Sequence, residues 1–173
     1  MKLLSRVLLF GLFVSCGPVI NYDYERSVDF DSYKTYNYFD DMVTGFSDLD
    51  TKRLIRSIDE VLQAKGLERK DGAQFYIDIQ SQEIANNTNS NVGVGVGGTG
   101  GNVGGGVTVG IPLNSNQFSK EIVIEFVDLS TIGTFWQVII ETTFNPDASP
   151  EKREAQFKAL SEKVFSGYPP QKN

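Results

Sequence analysis

EIVIEFVDLSTIGTFWQVIIE, residues 121–141, contains two runs in which every second side chain is apolar, with glutamate or glutamine at several of the positions between. This period of two is typical of a β-strand with one buried face. The turn STIGT separates the runs, and two apolar strands joined this closely most simply form a β-hairpin. The first strand is predicted to cover roughly 117–129. The inward-facing side chains are predicted to be Phe118, Ile122, Ile124 and Phe126 in the first strand and Trp136, Val138 and Ile140 in the second.

Upstream of this hairpin, the sequence predicts two more strands and a helix. An aromatic-rich extended segment covers residues 22–39, and a further strand covers about 74–84, QFYIDIQSQEI. Between them, Ser47 or Asp48 can cap a helix, since a short side-chain oxygen accepts the unpaired backbone N–H groups at a helix start. Gly66 follows where a left-handed residue ends the helix. The apolar stripe of this helix consists of Leu54, Ile55, Ile58, Val61 and Leu62.

A second helix closes the chain. Ser149 precedes Pro150, which favours the first helical position, and Gly167 marks the end of the helix. The element order is therefore β-α-β-β-β-α, which predicts an α+β two-layer sandwich with both helices on one face of a four-stranded mixed sheet. The β-α-β unit predicts that the first two strands are parallel. A single domain is expected over residues 22–170, with a glycine-rich insert between strands two and three.

The N-terminus predicts export. Lys2 and Arg6 precede the apolar run VLLFGLFV, residues 7–14, which is too short to span a bilayer. Phe13, Val14 and Ser15 then resemble the lipobox of bacterial lipoproteins, which implies a signal peptide over 1–15, lipidation of Cys16 and a tether over 16–21. Since Cys16 is the only cysteine, the alternative is a secretory signal followed by a free thiol.

Charge argues against nucleic acid as a partner. The full chain has a formal net charge of −6 and no basic stripe, so phosphate backbones repel it. Loss of Lys2 and Arg6 with the signal peptide makes the exported chain more acidic still. Attachment to the membrane is therefore expected through lipid on Cys16. The sequence contains no second apolar run that would predict a membrane-spanning segment.

The glycine-rich stretch, residues 91–111, contains the spacing G-x-G-x-x-G at Gly93, Gly95 and Gly98. A dinucleotide site also needs a preceding strand and a following helix, and neither is predicted here. Two interpretations stay open. The stretch is either a connector or an extended hairpin that offers an interaction surface to an envelope partner. That candidate surface consists of Val92, Val94, Val96, Val107, Val109 and Ile111.

Catalytic and metal-binding patterns are missing from the sequence. The chain has no histidine, which excludes triads that depend on this base and removes the usual zinc ligands. No catalytic residue, metal or cofactor is predicted. Tyr33, Tyr36 and Tyr38 are candidates for stacking on a glycan or another ligand, although tyrosines in strands commonly serve packing instead.

Several segments together resemble a family of Gram-negative envelope lipoproteins, domain of unknown function 4136. They are DFDSYKTYNYF (29–39), RLIRSIDEVLQAKGL (53–67), the glycine-rich insert, residues 121–141 and PEKREAQFKALSEKVFSGYPP (150–170). The resemblance implies an envelope location and no known activity. We expect an outer-membrane-anchored protein facing the periplasm that acts as a non-catalytic binding or accessory subunit. A periplasmic module for glycan or lipid is the alternative, and a hydrolase is a distant third.

Overall fold

The computed structural model describes residues 18–84, 118–130 and 133–171. These residues form a mixed six-stranded sheet and two α-helices. The elements are β1 (Val19–Tyr24), β2 (Thr35–Tyr38), α1 (Asp48–Ala64), β3 (Glu68–Arg69), β4 (Phe75–Ile84), β5 (Phe118–Asp128), β6 (Gly133–Phe144) and α2 (Pro150–Phe165). The sheet order is β1-β6-β5-β4-β2-β3. Strand β2 runs parallel to β3 and β4, and the other neighbours are antiparallel.

The predicted four-stranded sheet is wrong in its strand count. The aromatic segment over 22–39 is divided into two strands, of which β1 pairs with β6 at one edge and β2 lies beside β4. A 3-10 turn, Phe30–Ser32, separates them. The physical reason is packing, because Phe30 and Tyr33 both contact the ring of Phe135 and hold the crossing segment in the core. Strand β3, only two residues long, was also not predicted.

The hairpin prediction is confirmed by the β5–β6 ladder, in which Ile124 lies opposite Val138 and Phe126 lies opposite Trp136. A bulge interrupts the register between Phe126 and Val127. The extra residue on β6 allows Phe135 and Trp136 to be buried together, each with 1% of its surface exposed. Strict alternation would have sent these neighbours to opposite faces of the sheet.

Both helices have the N-terminal capping residues that the sequence predicts. Ser47 accepts a hydrogen bond from the Asp50 N–H at the start of α1, and Ser149 accepts one from the Lys152 N–H at the start of α2. Gly66 ends α1 with a φ of 88°. Phe157, Leu160 and Val164 of α2 and Leu54, Ile58 and Leu62 of α1 are buried in one core with the strand side chains.

The helices also contact each other through buried polar groups. The hydroxyls of Ser57 and Ser161 lie 2.8 Å apart, and Arg153 of α2 pairs with the carboxylate of Asp50 in α1. A β2–β4 pairing with Tyr36 opposite Phe75 confirms the predicted parallel arrangement. Both helices and the buried face of the sheet therefore enclose a single core. Within the described residues, no helix is long and apolar enough to cross a membrane.

The loop before α1 is fixed by a close backbone approach at Gly45. Its φ is 70°, and a Cβ atom there would overlap the carbonyl oxygen of Ser81. The Ser81 hydroxyl meanwhile donates to the Thr44 carbonyl at 2.7 Å. Only glycine satisfies both the backbone conformation and the contact with β4.

We expect Gly45→Ala to destabilise the protein more than Gly72→Ala. Both glycines have positive φ, but apart from Gly72 and its chain neighbours no described residue has an atom within 4 Å of a Cβ placed on Gly72. Backbone strain alone should therefore lower the free energy of unfolding by about 1 kcal/mol at Gly72. The overlap with Ser81 should add at least about 1 kcal/mol at Gly45. Urea unfolding of both variants measures the difference, and equal losses would contradict the proposed contact.

Candidate functional site

The tyrosines proposed to stack on a ligand lie in the core. Tyr33, Tyr36 and Tyr38 are all buried. The ring of Tyr33 stacks on Phe135 with 4.4 Å between centroids, and Tyr36 lies against Phe75. These contacts cover the ring faces that a sugar would need. The burial supports the packing interpretation that the sequence also allowed, and it leaves no open stacking platform at these positions.

Their hydroxyl groups are used for internal hydrogen bonds. Tyr36 and Tyr38 both donate to Asp59 Oδ1, at 2.8 and 3.0 Å, while Arg69 donates to Asp59 Oδ2 at 3.1 Å. Burial and the neighbouring Asp59 carboxylate raise the pKa of both tyrosines. The phenols therefore stay protonated, and this cluster ties β2 and the short β3 to α1.

Tyr33 makes a similar bond at the other end of the core, donating to Asp128 Oδ2 at 2.8 Å. Burial, with the Asp128 carboxylate, raises the pKa of Tyr33 to about 12. Asp128 also accepts hydrogen bonds from the N–H and the hydroxyl of Ser130. The bond joins the segment before β2 to the end of β5.

We expect Tyr33→Phe to make stability less sensitive to alkaline pH. Between its ordinary pKa of 10 and about 12, the unfolded chain loses the Tyr33 proton while the folded chain keeps it. The folded state then binds more protons, so its stability is complete below pH 10 and falls as the pH rises through this window. Urea unfolding at about pH 9 and about pH 11 measures the slope. Equal slopes in both proteins would contradict this assignment.

The opposite face of the sheet is the candidate functional site, because no described element packs on it. We call it the outer face and define it by the outward side chains of β1, β6, β5 and β4. The register aligns these side chains in rows across the strands. The central row places Val123 between Gln80 and Ile139, with Asn21 at the β1 edge. This row gives the face an aliphatic centre.

Acidic rows lie on both sides of the aliphatic centre. None of the outward side chains on these four strands is Lys or Arg. The rows are thus a source of negative potential on a face that has no internal counter-charge. The outward carboxylates are Asp78, Glu125 and Asp23 in one row and Glu121 and Glu141 in the other.

Glutamine side chains orient three of these carboxylates. Gln82 Nε2 donates to Glu121 at 2.8 Å, and Gln137 Nε2 donates to Glu125 at 3.0 Å. Gln80 Nε2 donates to Asp78 at 2.8 Å. Each carboxylate keeps further lone pairs for outside donors. The acidic rows are therefore partly ordered before any partner arrives.

A depression of about 600 Å³ lies at the β4 side of the outer face. Its lining includes Phe39, Met42 and Val43, and Val43 is 79% exposed. Phe39 also packs on Tyr76 with 5.5 Å between ring centroids. The sequence did not single out this pair, although Tyr76 lies between the buried Phe75 and Ile77 and therefore points outward from β4. Phe39 and Tyr76 are the aromatic residues best placed to meet a ligand on this face.

Among the described residues, no group of three or more His, Cys, Asp or Glu side chains is arranged so that it could bind a metal ion. Cys16 and the candidate surface of Val92, Val94, Val96, Val107, Val109 and Ile111 lie outside the described residues. Their predicted roles stay predictions.

A family model described as Domain of unknown function (DUF4136) matches residues 20–170. Among solved structures, the chain is similar to a PDZ domain protein from Parabacteroides distasonis ATCC 8503, with a TM-score of 0.55 and 14% identity over 99% of this chain. The chain spans 41% of the length of that protein. At this identity the likeness concerns the fold alone.

A PelC dodecamer from Paraburkholderia phytofirmans is also similar, with a TM-score of 0.47 and 11% identity. That match covers 87% of this chain and 96% of the PelC chain. No curated protein matches the chain.

Proposed function

The chain belongs to the DUF4136 family, and from the outer face of its sheet, on which no described element packs, we propose that it is a non-catalytic binding or accessory subunit of the cell envelope. In this proposal, lipid on Cys16 anchors the protein to the outer membrane, and the domain faces the periplasm. The partner is another envelope protein.

The observation that carries the proposal is the pattern of the outer face. Aliphatic side chains of Val123 and Ile139 lie between rows of carboxylates. Protein interfaces commonly combine an apolar centre with a polar rim, and opposite charge across the interface speeds association and selects the partner. The fitting partner surface has an apolar centre with Lys or Arg on both sides.

The anchor would hold the domain close to the membrane. Cys16 precedes the first described residue, Pro18, by two positions, and β1 begins at Val19. The Pro18 carbonyl accepts a hydrogen bond from Lys163 Nζ at 3.4 Å, which ties the start of β1 to α2. With so short a link, acyl chains on Cys16 would restrict the domain to the membrane surface.

We expect Cys16→Ser to release the protein from membranes. Without the thiol no acyl chain can be attached, and the acidic domain has no electrostatic attraction to anionic head groups. Fractionation of Gram-negative cells expressing either chain, with mass spectrometry of the N-terminal peptide, measures membrane attachment and acylation. Equal membrane fractions for the two chains would contradict the lipid anchor.

We expect Val123→Lys to abolish recovery of a protein partner from crosslinked envelopes. The substitution places a charge in the aliphatic centre of the outer face without touching the core, since Val123 points away from it. Ala159→Lys is the matched control, because it adds the same charge at an exposed position of α2. Affinity capture followed by mass spectrometry compares both variants with the native chain.

The remaining outcomes separate the candidate surfaces. Partners lost with both variants, or with neither, would count against the outer face. A chain in which a short polar turn replaces residues 91–110 tests the candidate surface of the glycine-rich stretch in the same experiment. If no chain recovers a protein, the alternative of a glycan or lipid ligand gains weight, and the depression beside Phe39 and Tyr76 is the observation that favours it.

A further inference from the structure

Strand β1 forms one edge of the sheet, and half of its backbone groups point away from β6. The Glu25 N–H donates to the Phe135 carbonyl at 3.0 Å. In an antiparallel ladder the inward bonds recur at every second residue, so Val19, Asn21 and Asp23 bond to β6. The N–H and C=O groups of Ile20 and Tyr22 therefore face outward from the sheet edge.

Both ends of this outward row are already closed. Pro18 has no N–H, and its carbonyl accepts from Lys163 Nζ. The Tyr24 N–H donates to the carboxylate of its neighbour Asp23 at 2.9 Å. Between these ends, no described residue bonds to the outward groups of Ile20 and Tyr22. The open segment is therefore short and has defined limits.

Apart from the Asp23 carboxylate, strand β1 itself lacks the usual protections of an edge strand. Its sequence, VINYDY, contains no proline or lysine, and no bulge interrupts its pairing with β6. Natural sheets commonly block their edges with such features, because an open edge can pair with another strand. Val19 and Tyr22 are also 56% and 39% exposed, which leaves apolar surface beside the open groups.

We propose that a second copy of this chain pairs with β1, antiparallel and about a two-fold axis at Asn21. In this register Ile20 lies opposite the partner's Tyr22, and Tyr22 lies opposite the partner's Ile20. Their N–H and C=O groups then bond reciprocally, so every outward group of both residues is satisfied in both copies. Since the two strands are identical, one patch serves both sides of the interface.

Neighbouring registers fit the strand less well. Moving the axis to Ile20 sets Tyr22 opposite the partner's Pro18, which cannot donate. Moving the axis to Tyr22 requires the Tyr24 N–H to leave the Asp23 carboxylate. An axis at Asp23 sets two like charges directly opposite each other, which is unfavourable. Only the axis at Asn21 pairs the open groups of Ile20 and Tyr22 with each other, and it leaves the closed Tyr24 N–H opposite the partner's closed Pro18 carbonyl.

Side chains support the same register. On the helix face, Ile20 lies beside the partner's Tyr22, and aromatic–β-branched pairs of this kind stabilise adjacent strands. On the outer face, Asn21 lies beside the partner's Asn21, where the two amides can exchange hydrogen bonds. The interface needs neither the lipid anchor nor the proposed envelope partner.

Asn21→Cys tests the register directly. On the axis, residue 21 and the partner's residue 21 form a non-hydrogen-bonded pair, with Cα atoms about 4.5 Å apart. That separation lies within the range of disulfides. The full chain, purified in detergent, is incubated with oxidised glutathione and separated on non-reducing gels. The unsubstituted chain, with Cys16 as its only cysteine, sets the baseline, and Asp23→Cys and Glu141→Cys are exposed controls.

We expect Asn21→Cys to give a reducible dimer as the major species, with both controls near the baseline. Dimer formation by Asp23→Cys at the same level would overturn the register. Equal crosslinking of all three variants would indicate random collision and would overturn the interface, as would no dimer above the baseline from Asn21→Cys.

Sedimentation equilibrium provides a second test without a new cysteine. Asn21→Lys sets two like charges opposite each other on the axis, so the dimer dissociation constant should rise about twofold to fivefold. Asp23→Asn keeps an oxygen that can accept from the Tyr24 N–H and should leave the constant unchanged. A native chain that is monomeric at all concentrations, or an Asn21→Lys variant that dimerises as well as the native chain, would overturn the proposal.

Discussion

The bulge between Phe126 and Val127 is the feature on which the rest of the core depends. By adding one residue to β6, it directs Phe135 and Trp136 to the same face of the sheet. Phe135 then meets the segment that crosses from β1 to β2, through Phe30 and Tyr33. Trp136 meets the residues that begin and end the domain, which are Tyr22 of β1, Phe165 of α2 and Tyr168.

This aromatic core stabilises the fold through buried apolar surface and ring packing more than through hydrogen bonds. Two buried polar atoms, Trp136 Nε1 and the Tyr168 hydroxyl, find no hydrogen-bond partner among the described residues. An unsatisfied buried group costs about 1–3 kcal/mol, so the packing around these rings must offset both. All of this packing lies on one side of the sheet, and a sheet with mainly antiparallel pairs can leave its other side to solvent.

Local signals in the sequence were sufficient to predict most of the helices and strands. Ser47, Ser149 and Gly66 act within one helical turn, and the alternation in β4, β5 and β6 depends only on a strand's own period. The choice of strand partners is not local. The segment over 22–39 has an extended pattern throughout, and nothing in that pattern shows that its two halves pair on different sides of the β4–β5–β6 meander.

The same limit applies to the candidate site. Alternation from the buried Ile77 and Ile79 gives Asp78, Gln80 and Gln82 outward positions in β4. The row that joins Gln80, Val123, Ile139 and Asn21 is defined only by the register. The tyrosines could be assigned only by tendency, since rings on strands commonly pack in a core but can also stack on a ligand. Tyr36 and Tyr38 are buried because they contact α1 and its Asp59 carboxylate, and this contact joins residues that are far apart in the sequence.

The outer face and the β1 edge are related by the geometry of the sheet. Asn21 belongs to the central row of the outer face and also lies on the proposed two-fold axis. Pairing of β1 with a second copy would therefore continue that row, through the two Asn21 side chains, into the outer face of the partner. A binding partner with two apolar surfaces, each flanked by basic residues, could then contact the outer faces of both copies in the dimer. Once the first outer face is bound, binding of the second is an intramolecular step. Modest affinity at each outer face would be enough for stable attachment.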